Sequence, residues 1–360
     1  MYTGDDRRGA LRPHVSRREF LALSATALAA FGLAGCGAKG APADAAATTG
    51  VPAHDFTEGA QGLNEAKTIT IGFQGASANA YLEKHFHYHQ QEFEKDGITV
   101  NFQQFTSGPP LIEAMAGGKV DFGEVGDMPP VNARSNGIDV KIISKSLVVP
   151  GSNTLEVPTN STLASVADLK GQKVGTNVGS SSHHFLAALL AKNGLSIKDV
   201  ELVNIKPADG GNALETGQIA GYTTWEPWGS QIVNRGQGKL YADDQGVKQN
   251  TETFIVRNEF GTKNPLLTAR FLKVWRRYAA YVEANRDEAL QIVAEQSQFD
   301  PNDIRKMITA AKTDTDFTDY DYQQMEATKQ FLLDNKTLKR DYDINELYDF
   351  SYLEKAKELG

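Results

Sequence analysis

Cysteine is nearly absent: the chain has 360 residues and only Cys36. This excludes an internal disulfide and a thiolate metal cage, and leaves one residue to explain. Positive charge is also short, with 37 Lys and Arg against 45 Asp and Glu, a formal net charge of −8. Residues 1–35 hold five arginines and three acids, so the remainder, with 32 bases and 42 acids, is more acidic than the whole. That balance argues against nucleic acid as a partner. An anionic ligand would have to be held by local donors, because the global field repels it. Long apolar runs are missing too. The longest, Phe20 to Ala34, has about 15 residues, whereas a spanning helix needs ~20. No Walker loop, HExxH, GxSxG or paired-carboxylate constellation stands out, so no cofactor and no catalysis are expected.

What is present begins at the N-terminus. Ser16-Arg17-Arg18-Glu19-Phe20-Leu21 precedes the apolar run, and Leu33-Ala34-Gly35-Cys36 closes it. The arginine pair, the run length and the small residues before cysteine match a cleaved export signal ending in a lipobox. The expectation is a soluble domain tethered outside the cytoplasmic membrane by lipid on Cys36. Gly37 to about Ala66 is rich in Ala, Gly, Pro and Thr, and reads as a flexible leash.

From Thr68 the texture changes. Thr68–Phe73, Ile98–Phe102 and Val120–Gly123 read as strands, with helices over Ala80–Lys95 and Pro110–Ala116 between them. Val140–Ile143 and Leu147–Val149 follow. Val166–Gly171 then leads to Lys173–Thr176, and Glu201–Ile205, Ile219–Tyr222 and Thr253–Val256 continue the series. Alternation at this spacing predicts α/β units with parallel-rich sheets. Pro265 to Gly360 is mostly helical, with Phe271, Val274, Trp275, Tyr278 and Tyr281 at three- and four-residue spacing. One internal similarity suggests two lobes of like construction. Gly118-Lys119-Val120-Asp121-Phe122 through Asp127-Met128 lies over Gly217-Gln218-Ile219-Ala220-Gly221 through Glu226-Pro227.

Strands of open α/β sheets deliver their C-terminal ends to ligand crevices, and a helix starting there offers unpaired N–H groups. Three such starts are visible: Gly126-Asp127-Met128-Pro129-Pro130, Gly179-Ser180-Ser181-Ser182-His183 and Trp225-Glu226-Pro227-Trp228. The first has only the Asp127 and Met128 amides to offer, because proline lacks the donor. The second supplies amides and three hydroxyls, suited to a sulfonate, sulfate or carboxylate. The third brings aromatic walls. Asp127 and Glu226 hold equivalent places in the two copies, which favours helix capping over ligand contact. His85, His87 and His89 alternate; on one continuous helix His85 and His89 would share a face and could hold Zn²⁺ or Ni²⁺. No third ligand is evident nearby, and a metal site is not expected.

Taken in order, these segments resemble the aliphatic sulfonate-binding proteins of ABC importers. The similarity is carried by Gly108-Pro109-Pro110-Leu111, Asp121-Phe122-Gly123, Gly126 to Pro130, Ser165 to Val174, Gly179 to Leu186, Pro207-Ala208-Asp209 and Trp225 to Trp228. It spans about Thr68 to Phe260, with taurine, nitrate and thiamine-precursor receptors as wider relatives. It implies a type II periplasmic-binding-protein fold: two α/β lobes with parallel-rich sheets, two hinge crossovers and a C-terminal helical segment. The implied division is 1–35 export signal, 36–66 linker, 67–157 plus 253–360 lobe 1, and 158–252 lobe 2. The crossovers are expected near Leu155–Thr162 and Gln249–Thr253.

Carried over residue by residue, the crevice is expected to be lined by Gln74, by Ser107 and Gly108, and by Gly126, Asp127 and Met128. Gly179, Ser180, Ser181, Ser182 and His183 follow, then Trp225 and Glu226. Gly75 to Asn79 departs from the family's usual first loop. The implied activity is capture of a small organic anion, an aliphatic sulfonate first, by a monomeric receptor that hands it to an ABC permease and its ATPase. The alternatives are a taurine receptor, with Glu226 or Asp127 meeting the ammonium; a nitrate receptor; a metal receptor through the three histidines; and an enzyme like the thiamine-pyrimidine synthases, whose cysteine-rich segment is absent here.

Overall fold

The computed structural model describes residues 53–75, 77–248 and 250–360. The export signal, Cys36 and the first part of the linker lie outside the described residues. The linker's last part does not run free as a leash. His54 Nε2 meets Asp349 at 2.7 Å and stacks on Tyr352 at 4.5 Å, while Phe56 packs on the apolar core. Asn64 Oδ1 accepts from the amides of Leu266 and Leu267. Two aromatic contacts and a helix cap therefore dock residues whose composition alone reads as loose.

The strands are β1 Thr68–Gln74, β2 Thr99–Phe105, β3 Phe122–Val125, β4 Val140–Lys145, β5 Asn153–Val157, β6 Lys173–Thr176, β7 Glu201–Asn204, β8 Gly221–Trp225, β9 Lys239–Asp243 and β10 Thr253–Arg257. They form two mixed five-stranded sheets, ordered β2-β1-β3-β10-β4 and β7-β6-β8-β5-β9. The two orders have one plan. In each sheet, one strand runs antiparallel to both its neighbours and is contributed by the segment that has just crossed from the other sheet. β10 pairs antiparallel with β3 and β4, and β5 does the same with β8 and β9.

The helices in chain order are α1 Ala78–Phe86, α2 Tyr88–Glu94, α3 Gly108–Ala116, α4 Met128–Ser135, α5 Ser181–Lys192, α6 Gly210–Glu215, α7 Trp228–Asn234, α8 Asn258–Lys263, α9 Pro265–Ala284, α10 Arg286–Ser297, α11 Pro301–Thr309, α12 Asp319–Asp334 and α13 Ser351–Glu358. The repeat of like construction is visible at Gly118 and Gly217. Both lie just after a helix at φ 67° and 69°, a left-handed turn that glycine adopts without a Cβ clash. The buried face of α9, Phe271, Val274, Trp275 and Tyr278, packs into the first lobe's core, while Tyr281 is only partly covered.

Three sequence expectations differ from the structure. β5 belongs to the second sheet, so the chain leaves the first lobe between β4 and β5, before Asn153 and not near Leu155–Thr162. The apolar run Leu147–Val149 lies in that crossover and makes one bridge, Val148 to Lys312. Its hydrophobicity reflects burial, with Leu147 and Val149 in the first lobe's apolar core, not a strand. The expected helix Ala80–Lys95 is two helices, broken at His87, which takes φ 56°. The break leaves His85 and His87 exposed, while His89 is buried against Glu83 and stacked on Phe271. The shared face needed for a two-histidine metal site does not form. Among the described residues no group of three His, Cys, Asp or Glu is placed to hold a metal. No helix among them is long and apolar enough to cross a membrane.

Candidate functional site

The C-terminal ends of β1, β3 and β8 face one another across the cleft. Between them lies a cavity of about 80 Å³. Gln74, Asn79 and Glu124 of the first lobe bound it on one side. Trp225 and Glu226 at the end of β8 bound it on the other, with Ser152, Asn250 and Glu252 of the two crossovers between. Leu147, Val149 and Met307 supply apolar wall. A narrower crevice adjoins it, bounded by Gly108, Gly126 and Pro129 of the first lobe and by Ser180 and Ser181 of the second. Gln74, Trp225 and Glu252 border both spaces.

The crevice exists because two backbones approach closely. A Cβ on Gly126 would lie 3.0 Å from the Cβ of Ser181 and 3.4 Å from Glu252 Oε1. A Cβ on Gly179 would lie 3.3 Å from Pro109. Ser181 is the first residue of α5, so its amide and that of Ser182 have no acceptor within the helix. The seat next to Gly126 is thus walled by one lobe's glycine and the other lobe's helix start.

Of the expected residues, Gln74, Trp225 and Glu226 line the cavity, and Gly108, Gly126, Ser180 and Ser181 line the crevice. The others lie elsewhere. Ser107 is buried ahead of α3, and Met128 sits in the first lobe's apolar core with Leu111 and Val131. Gly179 is half-buried, at φ 87° and opposite Pro109 of the first lobe. Ser182 turns into the second lobe, bonded to Thr176 at 3.1 Å and Ser180 at 2.9 Å. His183 lies edge-on to Phe331 of α12, and burial together with neighbouring His184 lowers its pKa to about 4. The helical period explains this scatter. Successive residues at a helix start point around the axis, so only part of a run such as Gly179–His183 can face one crevice.

Asp127 does not cap α4: its side chain makes no cap hydrogen bond. Its carboxylate is fully enclosed and joins the lobes. Oδ2 accepts from Lys248 Nζ at 2.8 Å and Thr328 Oγ1 at 2.7 Å, and lies 3.1 Å from His184 Nδ1. Burial by itself would raise this carboxyl; the Lys248 and His184 charges outweigh it and hold Asp127 well below the usual carboxylate range. Glu226 does serve a helix start, accepting from the Ser230 amide at 3.0 Å, and pairs with Lys306 at 3.2 Å.

Sequence reasoning marked Ser77 and Asn79 only as part of the departing first loop, and it missed Glu124, Ser152, Asn250 and Glu252. Glu124 accepts hydrogen bonds from Ser77, Asn79 and Ser146, and burial raises its pKa. Glu252 is raised to about 7, by burial first and then by the nearby carboxylates of Glu124 and Asp127, against the hydrogen bond from Asn250. One signal was present: Glu124 lies in the copied segment, two residues before Gly126. Asn250 and Glu252 fall in the expected crossover Gln249–Thr253, but nothing in the sequence aims them at this cavity.

Residues 62–296 match the profile of the NMT1-like family, about two thirds of the chain. The chain belongs to the NMT1-like family. A candidate aliphatic sulfonates-binding protein of Bacillus subtilis strain 168 is 28% identical over 330 residues, 91% of this chain and 94% of its own length. The taurine-binding periplasmic protein of Escherichia coli K12 is 27% identical over 214 residues, 58% of this chain and 64% of its own. Among solved structures, the alkanesulfonate-binding protein SsuA of Xanthomonas axonopodis pv. citri, bound to MOPS, superposes with a TM-score of 0.71 at 26% identity. That match covers 77% of this chain and 96% of SsuA. The resemblance read from the motifs holds, and the two-lobed α/β fold of this NMT1-like protein is the one those binding proteins have.

Proposed function

We propose that this chain is the solute-capturing subunit of an ABC-type importer. It is tethered outside the cytoplasmic membrane through Cys36, acts as a monomer, and closes its lobes on a small sulfonate. The observation that carries the reading is the space between the two sheets, bounded by strand ends from both lobes. A solute seated there touches both lobes, and only such differential contact shifts an open–closed equilibrium. The Gly126–Ser181 crevice supports an anionic end. The free amides at the start of α5 are neutral donors, and charge-assisted hydrogen bonds of this kind contribute ~1.5–3 kcal/mol each. The names of the relatives, sulfonate and taurine binders, support the same class.

The test is calorimetric titration of the full chain with methanesulfonate, ethanesulfonate, taurine and nitrate, with small-angle scattering at saturation. The expected result is micromolar or tighter binding of at least one sulfonate and a smaller radius of gyration. No heat from any of the four, or an unchanged radius at saturation, removes the reading.

A further inference from the structure

The first lobe carries, on α2 and α9, positive charge that solute capture does not use. α9 buries Phe271, Val274, Trp275 and Tyr278, and its opposite stripe holds Lys273, Arg276 and Arg277. With Lys95, just past α2, these cations line an open groove of about 550 Å³. The groove's one acid, Glu92, is already answered: Arg270 Nε lies 2.8 Å from it and Lys273 Nζ 3.9 Å. Lys95 and Arg276 have no ion-pair or hydrogen-bond partner among the described residues. The Arg277 guanidinium lies 3.4 Å from the centre of the Tyr88 ring, and Tyr88 is itself stacked on Tyr278. Stacking occupies the face of a guanidinium and leaves the donors at its edge free for a phosphate.

The chain as a whole is acidic, with a formal charge of −8, and an anionic surface repels it. At physiological salt that field is screened beyond ~8 Å, so the charge on the facing side decides what can approach. On this side Lys95, Arg276 and Arg277 stand uncompensated. The linker reaches the lobe on the same flank. His54 stacks on Tyr352 of α13, and Phe56 lies beneath Lys355 of the same helix at 6.0 Å. Gly360, two residues past α13, borders the groove. A tether rooted on α13 brings this flank to the membrane. A basic stripe on an amphipathic helix beside such a root fits anionic headgroups.

We propose that the groove between α2 and α9 is the face on which this receptor rests against the membrane, with Lys95, Lys273, Arg276 and Arg277 holding the phosphates of anionic phospholipids. The orientation rests on the tether reading; the charge complementarity does not. Contact there leaves the cleft open to solvent. β1 and β2 run parallel, β1 ends at the cleft with Gln74, and Lys95 lies shortly before the start of β2, at the opposite end of the sheet.

The experiment sediments the full chain and its Lys95→Glu/Arg276→Glu variant with vesicles of phosphatidylcholine, alone or with about 30% phosphatidylglycerol, and follows hydrogen exchange of the bound protein. Neither residue lines the cleft or loses a partner, so the variant is expected to melt and to bind ethanesulfonate as the wild type does. Should it melt early, Lys95→Gln/Arg276→Gln takes its place with the same readouts. The expected result is binding about fivefold or more tighter with phosphatidylglycerol at about 0.1 M salt, weakened by the substitutions and by about 0.5 M salt, with slowed exchange in α2 and α9. The five arginines of residues 1–35 also attract phosphate, so the difference between the two chains and the exchange in α2 and α9 decide the matter. Equal binding of both chains to phosphatidylglycerol, or slowed exchange only in other segments, overturns the proposal. A variant that matches the wild type on vesicles but fails in solute uptake by cells gives the face to an acidic partner chain, and overturns it too. Labelled palmitate on Cys36 reports the tether by itself, and ethanesulfonate titration reports solute capture, so those readings fail separately from this one.

Discussion

Lys248 of the second crossover donates to Asp127 at the end of β3 across 2.8 Å, and this enclosed ion pair ties the first lobe to the hinge. His184 of α5 and Thr328 of α12 meet the same carboxylate, so three separate segments converge on one oxygen. Removing one partner of such a pair leaves a buried charge uncompensated. Asp127→Asn is expected to lower stability by about 3–5 kcal/mol, and Asp127→Asn with Lys248→Met by clearly less. Urea unfolding of the three proteins checks this; equal losses in single and double variants would contradict it.

Buried carboxyls give the empty protein an unusual pH dependence. Burial raises Glu252 to about 7 and Glu156 to about 8, both from an ordinary 4.5. Between 4.5 and about 7–8 the folded state therefore binds more protons than the unfolded one, and stability falls as pH rises through that window. Asp127 acts oppositely, since its lowered pKa contributes stability that is lost only on acidification below 3.8. The melting temperature of the solute-free protein is expected to rise by a few degrees from pH 8 to pH 5 and to drop below pH 4. A maximum at or above pH 7 in a calorimetric scan would refute the assignment.

Ser181 and Ser182 are adjacent but differ in what they face. Ser181→Ala is expected to weaken solute binding about tenfold with little loss of stability, because Ser181 borders the crevice. Ser182→Ala is expected to cost about 1–2 kcal/mol of stability with affinity nearly kept, because its hydroxyl bonds Thr176 and Ser180 inside the lobe. Titration and melting of both variants decide it, and the reverse pattern would place the solute on the other side of α5.

Gly126→Ala acts as a wedge. The added methyl would sit 3.0 Å from Ser181 across the lobe boundary, tighter than ordinary van der Waals contact. The expected outcome is at least a tenfold loss of affinity with a larger radius of gyration at saturating solute. Wild-type compaction in scattering would show that the lobes tolerate the methyl.

Much of the candidate site was legible where local chemistry and position coincide. The glycine–strand–acid repeat marked both cleft-facing strand ends, and the serine run marked a helix start that borders the crevice. Legibility ended at side-chain direction. Met128 and Ser182 stand one residue from crevice-lining neighbours yet point into cores, because a helix turns about 100° per residue. The acids escaped notice for another reason. Glu124 and Glu252 are 128 positions apart and become neighbours only when β10 inserts antiparallel beside β3.

The amino-acid order alone determined the alternation of strands and helices, the two-copy plan and the family likeness, since each depends on local periodicity or on motifs read in sequence. Only the tertiary structure decided that β5 changes sheets, that Asp127 joins the lobes where a cap was expected, and that three carboxylates share one small space. Those outcomes depend on which distant segments exclude water together, and burial of charge is a property of the assembled cleft.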